Sequence, residues 1–188
     1  MLAVDGYRPV VSDGASSWRT AADGSRKPHG GVDIMFRRAA DHDQADAYPP
    51  GSPNGSRHYF MPDGVFALAA ARAAVWSAGW TPKGFAVVLD HGKPWATFYA
   101  HLSRLFIEET SRARSGQLVE AGQPLGVIGH SPLDAQRLMH LHFELWRGGP
   151  SARVDPAPQM RAWGLIAVDA AGRPSMAVRP RSAPRRAA

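Results

Sequence analysis

Apolar residues in this chain come in short runs, and a glycine or proline interrupts nearly every one. Such punctuation stops helices from growing and leaves strand-length segments joined by turns. It predicts strands at 7–12, 31–36, 66–71, 73–79, 85–90, 96–102, 105–109, 123–129 and 141–146. Residues 90–95, DHGKPW, read as a hairpin connection, and Gly122 supplies another turn. The alanines of 67–78 favour a helix, yet Val75, Trp76 and the Ser-Ala-Gly that follows suit a strand, the state expected here. The fold class that results is mainly β: a compact antiparallel sheet or sandwich-like single domain with a groove.

Two segments depart from this texture. Residues 38–64 are polar and rich in proline and glycine, a long loop insertion of the kind that borders binding sites. From Arg173 onward the chain carries arginines and prolines and no acid, which reads as a flexible, solvated tail. The longest apolar candidate, 64–80, is broken by Arg72, so no membrane span is expected. The opening residues lack the basic start and long apolar core of a secretory signal.

With no cysteine, disulfides, thiol catalysis and thiolate metal sites are excluded, so a transition-metal site must use histidine and carboxylate. The net charge of +6 favours an anionic partner: nucleic acid, acidic lipid or bacterial wall polymer. No aromatic-basic stripe supports nucleic acid.

Three segments carry candidate chemistry. In MHLHFELW (139–146) strand alternation puts His140, His142 and Glu144 on one face and Leu141, Phe143 and Leu145 in the core. Same-face neighbours lie about 6.6 Å apart along a strand, near enough to serve one site. Alone, the pair reads equally well as two surface histidines. In KPHGGVDI, His29 and Asp33 would stand about 13 Å apart if fully extended, but Gly30-Gly31 permits a bend that returns His29 to the face of Asp33. TFYAHLS places His101 near the end of a strand. Together, His29, Asp33 and His142 make a three-ligand zinc site with a fourth position left for water. His140 and His101 remain beside it, suited to proton transfer and oxyanion stabilisation. Glu144 is either an acceptor for a ligand imidazole or an exposed carboxylate at the strand end.

PHGGVDI, TFYAHLS, AGQPLGVIGHS and HLHFEL, in this order, resemble the lysostaphin/LytM-like zinc metallopeptidases of the bacterial cell wall. The resemblance runs from about Val10 to Pro158. It implies zinc ligation by His29, Asp33 and His142 and catalytic roles for His140 and His101. It also implies an antiparallel fold with a groove and hydrolysis of peptidoglycan stem peptides or cross-bridges outside the cytoplasm. The division that follows is a flank at 1–24, a zinc metallopeptidase domain at 25–158 and a C-terminal extension at 159–188, in a chain expected to be monomeric. The alternative is a catalytically silent module of the same fold that binds wall or activates an amidase. The insertion at 38–64 and His130, where a small residue is expected, depart from the simple family core.

The other histidines are set aside: His91 in the hairpin, His42 and His58 in the insertion. Ser131 in GHSPL lacks the second glycine of a nucleophile elbow. Arg26, Lys27, Arg37 and Arg38 flank the first motif, where they serve solubility or attract anionic wall polymer.

Overall fold

Short strands joined by turns pair most readily with their chain neighbours, and every strand pair among the described residues is antiparallel. The structure is a computed structural model that describes residues 7–20, 23–38, 59, 61–111, 116–133, 137–149, 152–162, 167–168 and 174–175. The insertion expected at 38–64 lies outside the described residues except for Arg38, Tyr59 and 61–64, as does the basic tail except for Pro174 and Ser175.

The strands are β1 (Tyr7–Asp13), β2 (Trp18–Thr20), β3 (Arg26–Pro28), β4 (Val32–Arg38), β5 (Phe66–Leu68), β6 (Ala73–Thr81) and β7 (Gly84–Asp90). There follow β8 (Trp95–Leu105), β9 (Leu118–Val119), β10 (Pro124–Ile128), β11 (Leu141–Arg147), β12 (Arg153–Val154), the short helix α1 (Ala157–Ala162), β13 (Ala167–Val168) and β14 (Pro174–Ser175). The main sheet runs β1-β4-β11-β8-β7-β6-β9, with β12 on β11, and β10 joining β8 to β5. No described helix is long and apolar enough to cross a membrane.

From Ala73 the Ala-rich stretch is strand β6, as expected: Ala73 and Val75 enter the core, and past a register shift between Val75 and Ser77 so does Ala78. Two expected strands fall short. The one at 66–71 ends at Leu68, and the one at 105–109 does not form, since β8 stops at Leu105. Their backbone groups are satisfied otherwise: Phe106 N–H donates to Leu125 O, and Thr110 exchanges both bonds with Ala78. The core lies between one face of the main sheet and the β5–β10 pair, where Ala67, Leu125 and Ile128 join Val87, Leu89, Tyr99 and Phe143.

Alternation also fails at β11. Leu141, Phe143 and Leu145 are buried as expected, but His142, Glu144 and Trp146 are buried too. β11 is flanked by β4 and β8, and its second face is covered by Phe98 stacked on Trp146 at 5.5 Å. Glu144 is therefore not an exposed strand-end carboxylate. His140 precedes the strand rather than lying in it.

In β8 the register against β7 slips between Val87, opposite Tyr99, and Phe85, opposite Leu102. Three residues of β8 are thus matched by two of β7, a β-bulge with His101 at φ +65°. A left-handed residue other than glycine costs about 1–2 kcal/mol, so surrounding contacts hold it: Gly129 N–H donates to His101 O at 2.6 Å. The bulge lets Tyr99 and Leu102 both enter the core and turns His101 to the face of His142.

The hairpin expected at 90–95 is present, with Trp95 N–H donating to Gly92 O. His91 serves it, its Nδ1–H donating to Arg72 O (3.1 Å) and its Nε2 bonded to the Thr97 hydroxyl (2.8 Å). Beneath, the buried Tyr99 hydroxyl accepts the Ala70 N–H at 2.9 Å and is hydrogen-bonded to Thr97 at 3.3 Å. Tyr99→Phe strands that amide and should cost about 1–3 kcal/mol, read as a lower urea midpoint with unchanged slope; an unchanged midpoint would show that water or backbone adjustment replaces the bond.

Candidate metal centre

β4 and β11 pair so that His142 stands directly opposite Asp33. His29 precedes β4, and Gly30, at φ +78°, bends the chain so that its imidazole returns over Asp33. At Gly31 a Cβ would lie 2.6 Å from Phe143 O, so only glycine lets this segment approach β11 so closely. The segment after β1 fixes the bend. His29 N–H donates to Ser17 O (2.8 Å), Gly30 N–H to Ala15 O (3.3 Å), and the Ser12 hydroxyl to Asp33 O (3.2 Å).

Three acceptor atoms converge as a result. His29 Nε2 is 2.9 Å from His142 Nδ1 and 3.0 Å from Asp33 Oδ1, and His142 Nδ1 is 3.1 Å from the same oxygen. Tautomers follow from the outer partners, because a carbonyl or carboxylate oxygen can only accept. His29 gives its Nδ1–H to Gly14 O (3.2 Å), and His142 gives its Nε2–H to Glu144 Oε1 (2.9 Å). Each ring therefore turns a lone pair toward the other and toward an ionised acid. Such a cluster is repulsive unless a cation sits within it, and two imidazoles with one carboxylate is a donor set that zinc accepts. Ligand atoms around tetrahedral zinc lie roughly 3.3 Å apart, so the residues present fit the ion with small adjustments.

Electrostatics agree. Burial works against the Asp33 carboxylate, but with no ion taking their lone pairs the His142 and His29 rings serve instead as its proton donors and, with nearby His140, hold its pKa well below the ordinary range. Burial likewise opposes charge on His142, and its bonds to Asp33 and Glu144 prevail and raise its pKa. Without metal, the cluster thus draws a proton to the place a cation would take.

Two more imidazoles face this group. His140 gives its Nδ1–H to Leu138 O (2.8 Å), leaving Nε2 at 3.7 Å from Asp33 Oδ1. His101 gives its Nδ1–H to Lys83 O (2.8 Å), and its ring centroid is 4.6 Å from that of His140 and 5.5 Å from that of His142. Burial, then the adjacent His140, pushes the His101 pKa down to about 3. All five residues singled out from the sequence, His29, Asp33, His101, His140 and His142, are brought together. His91 serves the hairpin, His130 forms a β-bridge with Met139, the residue before His140, and His42 and His58 lie outside the described residues. Ser131 accepts the Leu133 N–H within a turn. Arg26 and Lys27 are exposed on β3.

Residues without a motif complete the site. Glu144, fully buried, accepts from Trp146 Nε1 (2.7 Å) and Arg153 Nε (2.6 Å) besides His142, with Lys83 Nζ at 3.6 Å. Arg19 Nη2 donates to Asp33 Oδ2 at 2.7 Å. Glu144 was legible as one of two alternatives, whereas Arg19, Lys83 and Arg153 carried no signal in spacing or composition.

Residues 54–156 match the model of a family described as Peptidase family M23, just over half of the 188-residue chain. That span holds His101, His140 and His142; His29 and Asp33 precede it, and the fold returns them to it. Among solved structures, the catalytic domain of the antimicrobial peptidase lysostaphin from Staphylococcus simulans is similar at 22% identity, over 82% of this chain and 92% of that one, with a TM-score of 0.56. A zinc containing peptidase from Vibrio cholerae is similar at 22% identity, over 81% and 36%, with a TM-score of 0.51. A chain of the SpoIIQ-SpoIIIAH pore forming complex gives 18% identity, 80% and 83% coverage, and a TM-score of 0.54. At these identities the likeness is one of fold. None of the curated proteins matches the chain.

Glu144 makes stability depend on pH. Burial alone would raise its pKa; the bonds from His142, Trp146 and Arg153 overcome this and lower it to about 2. A depressed carboxylate stabilises the fold above its ordinary value near 4.5 and loses that contribution as pH falls through 2. At about 1.4 kcal/mol per unit this is about 3 kcal/mol. In metal-free protein, wild type should therefore lose about 3 kcal/mol relative to Glu144→Gln between pH 4.5 and 2; parallel urea stability curves over that range would contradict the assignment.

Proposed function

The chain belongs to peptidase family M23, and on that premise we propose that it is a zinc-dependent endopeptidase hydrolysing peptide bonds in bacterial peptidoglycan, in stem peptides or cross-bridges. The observation that carries this reading is the convergence of His29 Nε2, Asp33 Oδ1 and His142 Nδ1 with two further imidazoles facing them. The net charge of +6 suits an anionic wall polymer, and such a substrate puts the site of action outside the cytoplasm.

His29, Asp33 and His142 would hold the ion, which when bound supplies Lewis acidity toward a carbonyl oxygen and toward water. The remaining chemistry falls to the protein. With their Nδ1–H groups committed to backbone carbonyls, His140 and His101 each present an unprotonated Nε2. Either can take a proton from an attacking water and pass it to the leaving nitrogen. Their ring centroids lie 4.6 Å apart, so the two act at one place. Once protonated, the same nitrogen is a donor for oxyanion charge. Buried Phe36, Tyr99 and Phe143 stiffen the sheet under these groups, so little reorganisation is needed.

The silent-module alternative predicts loss of a ligand or of a proton-carrying histidine, and this chain retains them all. His142→Ala should lose both tight zinc binding and turnover. His140→Ala and His101→Ala should retain zinc after dialysis yet clear purified sacculi at least a hundredfold more slowly, in line with general acid–base contributions of about 10²–10⁴. Wild-type clearing by His140→Ala would remove that residue from the mechanism, and a wild-type protein that binds zinc and releases no wall peptides would favour the silent module.

A further inference from the structure

The two oxygens of Asp33 have different neighbours. Oδ1 faces His29 Nε2 and His142 Nδ1, whereas Oδ2 accepts from Arg19 Nη2 at 2.7 Å. The other guanidinium nitrogen, Nη1, binds the Asp13 carboxylate and the Ser17 hydroxyl. Asp13 and Asp33 are cross-strand partners on β1 and β4, so Arg19 lies between two acids that would otherwise repel. Its own strand, β2, pairs with β3, which leads directly into His29. One side chain thus ties together β1, the β2–β3 hairpin and an acid of the metal-binding group. An exposed surface ion pair contributes little, but here the acceptor is buried and Oδ2 is aimed away from the imidazoles.

We propose that Arg19 is a positioning residue of the metal centre: by occupying Oδ2 it holds Asp33 to one-oxygen ligation and keeps the fourth position of a four-coordinate ion open. The inference rests on the zinc reading above. A carboxylate free at both oxygens can bind an ion through both, filling the place that water and substrate need. The planar guanidinium suits the task because it reaches Asp33 and Asp13 through separate nitrogens in fixed geometry. In that role Arg19 acts through Asp33 and touches neither ion nor substrate.

The test uses cobalt(II) in place of zinc, because its visible absorption is strong in four-coordinate sites and weak at higher coordination. Wild type loaded with cobalt should show the intense band. Arg19→Ala should lose it severalfold, and chelator competition should show zinc affinity about 10–100-fold weaker, the usual cost of removing a hydrogen-bond partner of a ligand. Arg19→Lys keeps a cation that reaches Oδ2, so it should restore the band even if it recovers affinity only in part. Circular dichroism on each variant separates misfolding from a changed site, and Arg19→Lys carries the test if Arg19→Ala does not fold. An intense cobalt band in folded Arg19→Ala, or wild-type zinc affinity in that variant, overturns the role of Arg19 and leaves the zinc reading intact. A weak band in folded Arg19→Lys also overturns it. A wild-type protein that binds neither ion overturns both.

Discussion

Both ring nitrogens of His142 are committed, one to Glu144 and the other toward Asp33 and His29. Buried imidazole between two buried acids is stable only if the acids keep their charge, and acids keep charge in an interior only when paired. Glu144 has Arg153, Lys83 and the Trp146 indole; Asp33 has Arg19, which also answers Asp13. Three carboxylates are thus met by three cations, and the surroundings are close to neutral before any ion enters. A divalent cation added to such a site leaves an excess of positive charge where an oxyanion would form. Removing any one partner strands another, so the cluster and its supports stand or fall together.

Much of the fold was legible because local signals agreed with one another. Glycine and proline marked the strand ends, and the core-facing residues of β6 outweighed the helical preference of its alanines. Alternation misled in β11 for a tertiary reason: a strand with neighbours on both sides and aromatics over its second face buries every position, whatever the period. The expected strand at 105–109 failed beyond Leu105, where Phe106 bonds to Leu125 and Thr110, just past the segment, pairs with Ala78. β2 and β3, three residues each, are too short to leave a pattern.

The site was legible to a different degree at each residue. His29, Asp33 and His142 could be joined because a chain without cysteine has few ways to hold zinc, and Gly30-Gly31 gave the bend a physical cause. His101 was singled out as a histidine near a strand end, although strand alternation alone would have aimed it into the core. Its actual direction depends on a bulge, set by contacts with Gly129 and Lys83 that lie far away in sequence. Arg19 is a single arginine in a basic chain, and nothing local distinguishes it from others.

The bulge in β8 has a bearing on how such a chain can diverge. Upstream of His101 the strand keeps one frame, and downstream it keeps the other, with Tyr99 and Leu102 both inside. Exchange of one side chain for another leaves this offset untouched. Adding one more residue between Tyr99 and Leu102 would exchange the downstream frame and turn Leu102 out of the interior, whereas losing one there would even the pleat and remove the extra residue that sets His101 at its left-handed turn. A change of length in this strand therefore alters either its packing or the aim of His101, and the connecting segments bear such changes more easily.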